Sequence, residues 1–255
     1  MTDAVLQSRV GQVVVLTLND PDKRNALSTR LTDALADALL GLERDGDCRA
    51  VVLTGGRHFC SGGSLDGLNT NGLFMRADMR RGHRVIRTIM SGRLPVVAAV
   101  EGAAFGAGLA LAAACDHVVA DPKAKFGAVW GKVGIMPDWG ALQTLPLRMG
   151  MARARRFMLF SEVLDAPAAV ANGLADELAT DGQALTIALE RAASLAEAAP
   201  GAVSAIKTGL ARFPQPLETL LDWEADTQAL LIASPDFAEG RNAFFEKRAP
   251  LFTGE

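Results

Sequence analysis

Asp138 is the one carboxylate in the run FGAVWGKVGIMPDWG, residues 126–140. It stands among glycine, proline and apolar side chains, with Trp130 eight residues before it and Trp139 directly after. A carboxylate in such surroundings is poorly solvated, which raises its proton affinity and fits it to take a proton and return it. A Pro-Asp pair ahead of an apolar helix is equally an ordinary turn or helix cap. The residues alone leave both readings open.

Two further places carry chemistry in their backbone. Cys60-Ser61-Gly62-Gly63-Ser64-Leu65 and Phe105-Gly106-Ala107-Gly108-Leu109 each follow a buried strand with a turn of small residues that leads into a helix. Small side chains let a ligand approach the main chain, and the first amides of a helix are free donors. Two such amides aimed at one point would form an oxyanion hole, stabilising charge that develops on a carbonyl oxygen. The competing reading is close helix–sheet packing. Neither turn has a nucleotide-binding fingerprint, since a Walker-type GxxxxGKS and the Rossmann spacing are both absent.

The elements that must position these groups follow from hydrophobic periodicity. VGQVVVLTLN at 10–19, RAVVLTGG at 49–56, LPVVAAVEG at 94–102 and DHVVAD at 116–121 read as strands. Asn25 or Ser28 is expected to cap the helix LTDALADALLGLERD. A helix is expected from Phe74 to Met90, carrying five arginines and His83, and another directly after the second glycine turn. LQTLPLRMGMARARRFMLF reads as a helix kinked near Pro146, and more helices follow at 166–173, 183–197, 200–211 and 216–232. Strand and helix alternate early and helices dominate late, so the expectation is an α/β core with a helical C-terminal region. The division is placed at 1–199 and 200–255, the second part serving assembly. No repeat is visible in the residues.

Composition sets outer limits. A chain of 255 residues that is 49% apolar and 22% charged can bury a large core without metals or disulfides. A net charge of −3 without a long basic run gives no reason to expect a nucleic-acid partner. Cys48, Cys60 and Cys115 are odd in number and lack metal-ligand spacing, which fits a reducing compartment. The apolar region 96–120 is broken by Glu101, by glycines and by Cys115-Asp116-His117, so no membrane span is expected. With no secretory or transit pattern at MTDAVLQSRV, the expected location is cytoplasmic.

VVLTLNDPDKRNALS at 14–28, VVLTGGRHFCSGGSLDGL at 51–68, VVAAVEGAAFGAGLALAAACDHVVAD at 96–121 and FGAVWGKVGIMPDWGALQTLPLRMG at 126–150 together resemble the enoyl-CoA hydratase/isomerase (crotonase) superfamily, and FAEGRNAFFEKRAPLF near the end fits as well. The resemblance spans nearly the whole chain. It implies a spiral of ββα units with C-terminal helices, an acyl-CoA thioester substrate, assembly as a homotrimer or dimer of trimers, and no cofactor beyond the coenzyme A of the substrate. By motif position, Gly63 and Ala107 would supply the oxyanion amides. Lys23, Arg24 and Ala26 would flank the coenzyme A portion, Lys247 would approach its nucleotide end, Ser61, Leu65 and Trp130 would also bind substrate, and Leu68 to Met90 would shape the acyl site.

The family's hydratases use two glutamates, and the positions that the resemblance assigns to them hold Ala110 and Trp130. Asp138 matches the position from which some family isomerases present their acid, and the ending KRAPLFTG resembles that of isomerases acting on ring-modified phenylacetyl-type thioesters. The resemblance therefore implies a double-bond shift with Asp138 as proton shuttle. Other readings stand beside it: a hydratase with atypical residues, a non-catalytic acyl-CoA binder, and a hydrolase like 4-chlorobenzoyl-CoA dehalogenase. The last is implied by the set Trp130, Asp138 and His83, the histidine lying twelve residues before Pro95. Ser64 replaces an aspartate common in the family and retains the capacity to cap a helix. Glu101 and Cys60 are read as structural.

Overall fold

The structure, a computed structural model, describes residues 3–65 and 71–255. Residues 66–68 of the second family segment, Leu68 among them, lie outside the described residues. Along the chain run β1 (Val5–Val10), β2 (Val13–Leu18), α1 (Thr29–Leu42), β3 (Ala50–Thr54), α2 (Gly72–Ser91), β4 (Val96–Val100), β5 (Ala103–Phe105) and α3 (Ala107–Ala114). Then come β6 (His117–Ala120), β7 (Lys125–Gly127), α4 (Ala141–Met149), α5 (Met151–Leu159), β8 (Val163–Asp165), α6 (Ala166–Ala171), β9 (Glu177–Leu178) and α7 (Ala184–Ala196). The chain ends with α8 (Pro200–Ala211), α9 (Leu217–Ile232) and α10 (Pro235–Glu246).

The larger sheet has the order β1-β2-β3-β4-β6-β9, parallel except for the β1–β2 hairpin. Its central strands are apolar on both faces because both are covered. Val14, Leu16, Val51 and Leu53 meet the core under α1 to α3, whereas Val13, Val15, Val52 and Val97 pack with Ala184, Ala188, Ala192 and Ala196 of α7. Alanine at every fourth position gives α7 a smooth stripe that lies close on the sheet.

A second layer lies beside the first. β5 pairs with β7 and β7 with β8, while isolated bridges join Leu27 to Gly63 and Cys60 to Ala104. The chain therefore repeats one path four times: β2, Leu27, α1; β3, Cys60 to Gly63, α2; β4, β5, α3; β6, β7, α4. Each turn gives a strand to the large sheet, a short extended piece to the second layer, then a helix. This is the crotonase-type spiral of ββα units. The repeat lies in the path and leaves no self-similar residues.

Three local expectations are corrected, and the choice of cap for α1 is settled between its two candidates. The strand expected at 10–19 begins at Val13, because Gly11 (φ 59) turns the chain back on a separate polar strand, β1. Ser28 caps α1 through its side chain, while Asn25 is buried and spans Asp20, Gly55 and His58. Asn71, not Ser64, caps α2. The helix expected to kink near Pro146 runs through that proline and breaks at Gly150, whose φ of 78 and ψ of 151 suit only glycine.

α8 is fastened to the core by Lys207, buried at 6% exposure, whose Nζ donates to Ile89 O at 2.8 Å and pairs with Asp116. Asp116 also accepts from Val96 N at 2.7 Å, so one carboxylate joins a strand end, α8 and, through the lysine, α2.

Candidate active site

The two glycine turns meet because their preceding residues pair. Cys60 N donates to Ala103 O at 2.8 Å and Phe105 N to Cys60 O at 3.0 Å. Leu27 N donates to Gly62 O at 2.8 Å, and Ser64 N to Leu27 O at 3.2 Å. These bonds set Gly62 and Gly63 beside Gly106 and Ala107. A methyl group built on Gly62 would lie 3.8 Å from Ala107 N, and one built on Gly108 only 2.3 Å from Cys60 O. Glycine is required at both for the backbones to approach so closely. Among the described residues, neither Gly63 N nor Ala107 N donates to another main-chain carbonyl. Ala107 opens α3, where an unpaired amide is expected.

Both turns line a cavity of about 500 Å³ whose wall also contains Trp130, Asp138 and Trp139. A short 3₁₀ turn, Val129–Val133, carries the buried Trp130, and its indole Nε1 donates to Asp138 Oδ1 at 2.9 Å. After Asp138 the chain turns through Trp139 (φ 48) and Gly140 (φ 79) into α4. A tryptophan in the left-handed region is strained, and buried packing against α2 holds it there: a methyl on Gly82 would fall 2.5 Å from its ring. Burial raises the Asp138 carboxyl above the ordinary aspartate range, opposed by the Trp130 hydrogen bond, a backbone amide and the charge of His83.

Asp138, Gly63, Ala107, Trp130, Ser61 and Leu65 are thus brought to one cavity. Lys23, Arg24 and Ala26 stand just before Leu27, on a segment held to the first turn by Ser61 N to Arg24 O at 3.0 Å and Ser61 Oγ to Lys23 O at 3.2 Å. His83 is half-buried on α2 and acts on Asp138 electrostatically without lining the cavity. Lys247 caps the C-terminus of α10 and is likewise not among the lining residues. Ala110 is fully buried in α3. The Cys60 thiol is enclosed and pushed up to about 12, which leaves it unreactive as a nucleophile.

Two polar lining residues were not singled out in the sequence: Asp78 on α2, inside the stretch 68–90 expected to shape the acyl site, and Thr32 on α1. Asp78 lies in an arginine-rich helix that reads as a solvated face. The sign that could have found it is the spacing Met75, Asp78, Met79, Gly82, one helix face with a single acid among apolar and small residues.

Chemically, two free amides beside one desolvated carboxylate can hold a carbonyl oxygen and exchange a proton with the carbon next to it. Among the described residues no group of His, Cys, Asp and Glu could hold a metal ion, and no helix is long and apolar enough to cross a membrane.

Comparison with known proteins bears on this geometry. A family model described as enoyl-CoA hydratase/isomerase matches residues 8–255. A Rhodobacter capsulatus protein named "Probable enoyl-CoA hydratase" is 41% identical over 245 residues, 95% of each chain. The 1,2-epoxyphenylacetyl-CoA isomerase of Escherichia coli K12 is 34% identical over the full length of both chains. Among solved structures, an enoyl-CoA hydratase from Polaromonas sp. JS666 superposes with a TM-score of 0.92 at 34% identity, covering 97% of this chain and 99% of that one. Hydratase names predominate among the similar curated proteins.

Proposed function

The chain belongs to the enoyl-CoA hydratase/isomerase family, whose enzymes act on acyl-CoA thioesters, and from that premise we propose that it is an isomerase shifting a double bond in an enoyl-CoA thioester. The observation that carries this reading is a cavity with two unpaired amides and one desolvated carboxylate, while Ala110 and Trp130 stand where the family's hydratases carry glutamates.

The thioester oxygen accepts from Gly63 N–H and Ala107 N–H. Withdrawal of electron density acidifies the carbon beside the carbonyl. Asp138 takes a proton there, the C–H pair moves into a dienolate, and negative charge collects on the held oxygen. The protonated Asp138 then delivers the same proton to the far carbon of the allylic system, and the double bond ends one position along. No water enters and no net proton is lost, so one carboxylate serves as base and acid. Lys23 and Arg24 meet the phosphates of coenzyme A, and Lys247 approaches its nucleotide end. No cofactor is assigned beyond the coenzyme A that the substrate carries.

The largely apolar wall, with Met75, Met79, Val133, Ile135 and Met136, suits a bulky acyl group. This supports the phenylacetate-type branch, in keeping with the isomerase relative. Three or six copies are proposed, because Leu210, Leu217, Leu230, Phe244 and Phe245 on α8 to α10 are all at least 65% exposed in the single chain and call for cover.

The relatives' names favour a second reading, hydration, in which Asp138 activates water for addition to a 2-enoyl thioester. Incubation in heavy-oxygen water with 3-enoyl-, 2-enoyl-, ring-modified and halogenated aryl-CoA thioesters separates the readings by mass. An isomer without heavy oxygen, lost in Asp138→Asn, supports the proposal. A hydrated product replaces it with hydration, halide release with the hydrolase reading built on Trp130, Asp138 and His83, and binding without turnover with a non-catalytic binder.

A further inference from the structure

The cavity contains a second polar station that the proton shuttle does not use. Thr32, in the first turn of α1, is 5% exposed and lines the cavity, and its hydroxyl has no hydrogen-bond partner among the described residues. Asp78 lines the same cavity from α2; one of its oxygens accepts a long 3.4 Å bond from Thr29 Oγ1, and the other accepts none among the described residues. Helix spacing sets Asp78 one turn, about 6 Å, along the wall from Gly82, which packs against Trp139. Asp138 takes its side-chain hydrogen bond from Trp130, and Asp78 takes its own from Thr29. Asp78 is therefore not the partner of the catalytic carboxylate.

The Thr32 oxygen is open to the cavity, since His117 Nε2 is the only enclosed side-chain polar atom without a partner among the described residues. A ligand that displaces water from that oxygen and from half-buried Asp78 must replace the hydrogen bonds lost. Thr32 can both donate and accept, whereas a carboxylate only accepts. A ligand group that satisfies the pair must donate a hydrogen bond and can also accept one. A hydroxyl does both at small volume. An acyl group ending in a carboxylate would meet like charge at Asp78.

Resting on the acyl-CoA reading above, we infer that Thr32 and Asp78 form a specificity site that selects acyl groups bearing a hydroxyl. The site recognises the acyl portion and takes no part in proton transfer at the thioester.

Direct binding tests this without requiring turnover. The probes are phenylacetyl-CoA with its three ring-monohydroxylated derivatives, and hexanoyl-CoA with its terminal hydroxy derivative, titrated calorimetrically into the wild type, Asp78→Leu, Thr32→Val and Thr32→Ser. At least one hydroxylated probe should bind about tenfold tighter than its parent, the range expected for a hydrogen bond to a charged group. Asp78→Leu and Thr32→Val should bring that ratio close to one with the parent's affinity retained, and Thr32→Ser should keep it. A ratio of one in the wild type overturns the inference, as does a preference that survives both Asp78→Leu and Thr32→Val. If the parents bind but show no discrimination, the specificity site alone falls. If no thioester binds, the acyl-CoA reading falls with it.

Discussion

The indole Nε1 of Trp130 donates to Asp138 Oδ1 at 2.9 Å across eight residues of chain, so the two side chains reach the cavity as one hydrogen-bonded pair. The bond acts on the ionised form of Asp138 and opposes the upward shift caused by burial. It also leaves Oδ2 as the oxygen without the indole donor.

Removing that bond should move the pH profile. Burial holds the Asp138 carboxyl above the ordinary aspartate value of 3.8, and the base proposed for it acts only when ionised. Activity should therefore rise with pH through an apparent value above 3.8 that belongs to Asp138. In Trp130→Phe the ionised form loses a stabilising donor, so this limb should move to higher pH, with turnover on its plateau reduced by about 3- to 30-fold through poorer orientation. Steady-state rates across pH check this, and an unmoved limb removes the Trp130 bond from the mechanism.

Asp138→Asn should separate catalysis from stability. A carboxyl whose folded-state value is raised contributes stability in full below the unfolded value, and loses it as pH rises through the folded value. Once pH has risen through the folded-state value, the ionised, desolvated Asp138 therefore works against the fold. Asparagine keeps an acceptor for Trp130 and carries no charge. The variant should lose about 10³-fold or more in turnover while melting no lower than wild type at neutral pH. A lower melting temperature would assign Asp138 a structural role at its turn.

The fold was legible in the residues wherever periodicity was local. The apolar runs at β2, β3, β4 and β6 and the leucine spacing of α1 give the alternation directly, as does Gly106-Ala107-Gly108 at the start of α3. β1 was missed because LQSR faces solvent and lacks an apolar face. Asp138 was legible because it is an acid among apolar neighbours. The meeting of the two turns was not, since it depends on Cys60 pairing with Ala104, 44 residues further along the chain. Thr32 and Asp78 stayed hidden for a similar reason: each reads as an ordinary polar helix position until α1 and α2 are laid side by side.

Two glycines near the turns should respond oppositely to alanine. A methyl at Gly108 would lie 2.3 Å from Cys60 O and 2.7 Å from Cys60 Cβ, so α3 must shift away from the first turn. Gly108→Ala should cost about 1–3 kcal/mol of stability and reduce turnover by parting Gly63 N from Ala107 N. A methyl at Gly63 meets nothing within 4 Å and requires no left-handed backbone. Gly63→Ala should fold with wild-type stability, and any effect on rate then reports contact with substrate. Thermal melts beside turnover check the pair; equal destabilisation would contradict the approach of the two turns.

Lys207→Met should show how firmly the C-terminal helices are joined to the core. The ammonium is nearly enclosed, donates to Ile89 O and pairs with Asp116, which also holds Val96 N at the start of β4. Methionine matches the length and apolar stem of lysine but leaves Asp116 without its counter-ion and Ile89 O without that donor. Asp116 is exposed and keeps its bond from Val96 N, so losing the ammonium's hydrogen bonds should cost about 1–3 kcal/mol, and the loss should concentrate at the seam of α2 and α8. Amide exchange should therefore quicken in α8 and at the end of α2, where Ile89 lies, while β2 and β3 keep their protection. Uniform acceleration across the chain would mean that the helices and the spiral unfold as one unit, with Lys207 no more than a part of its common core.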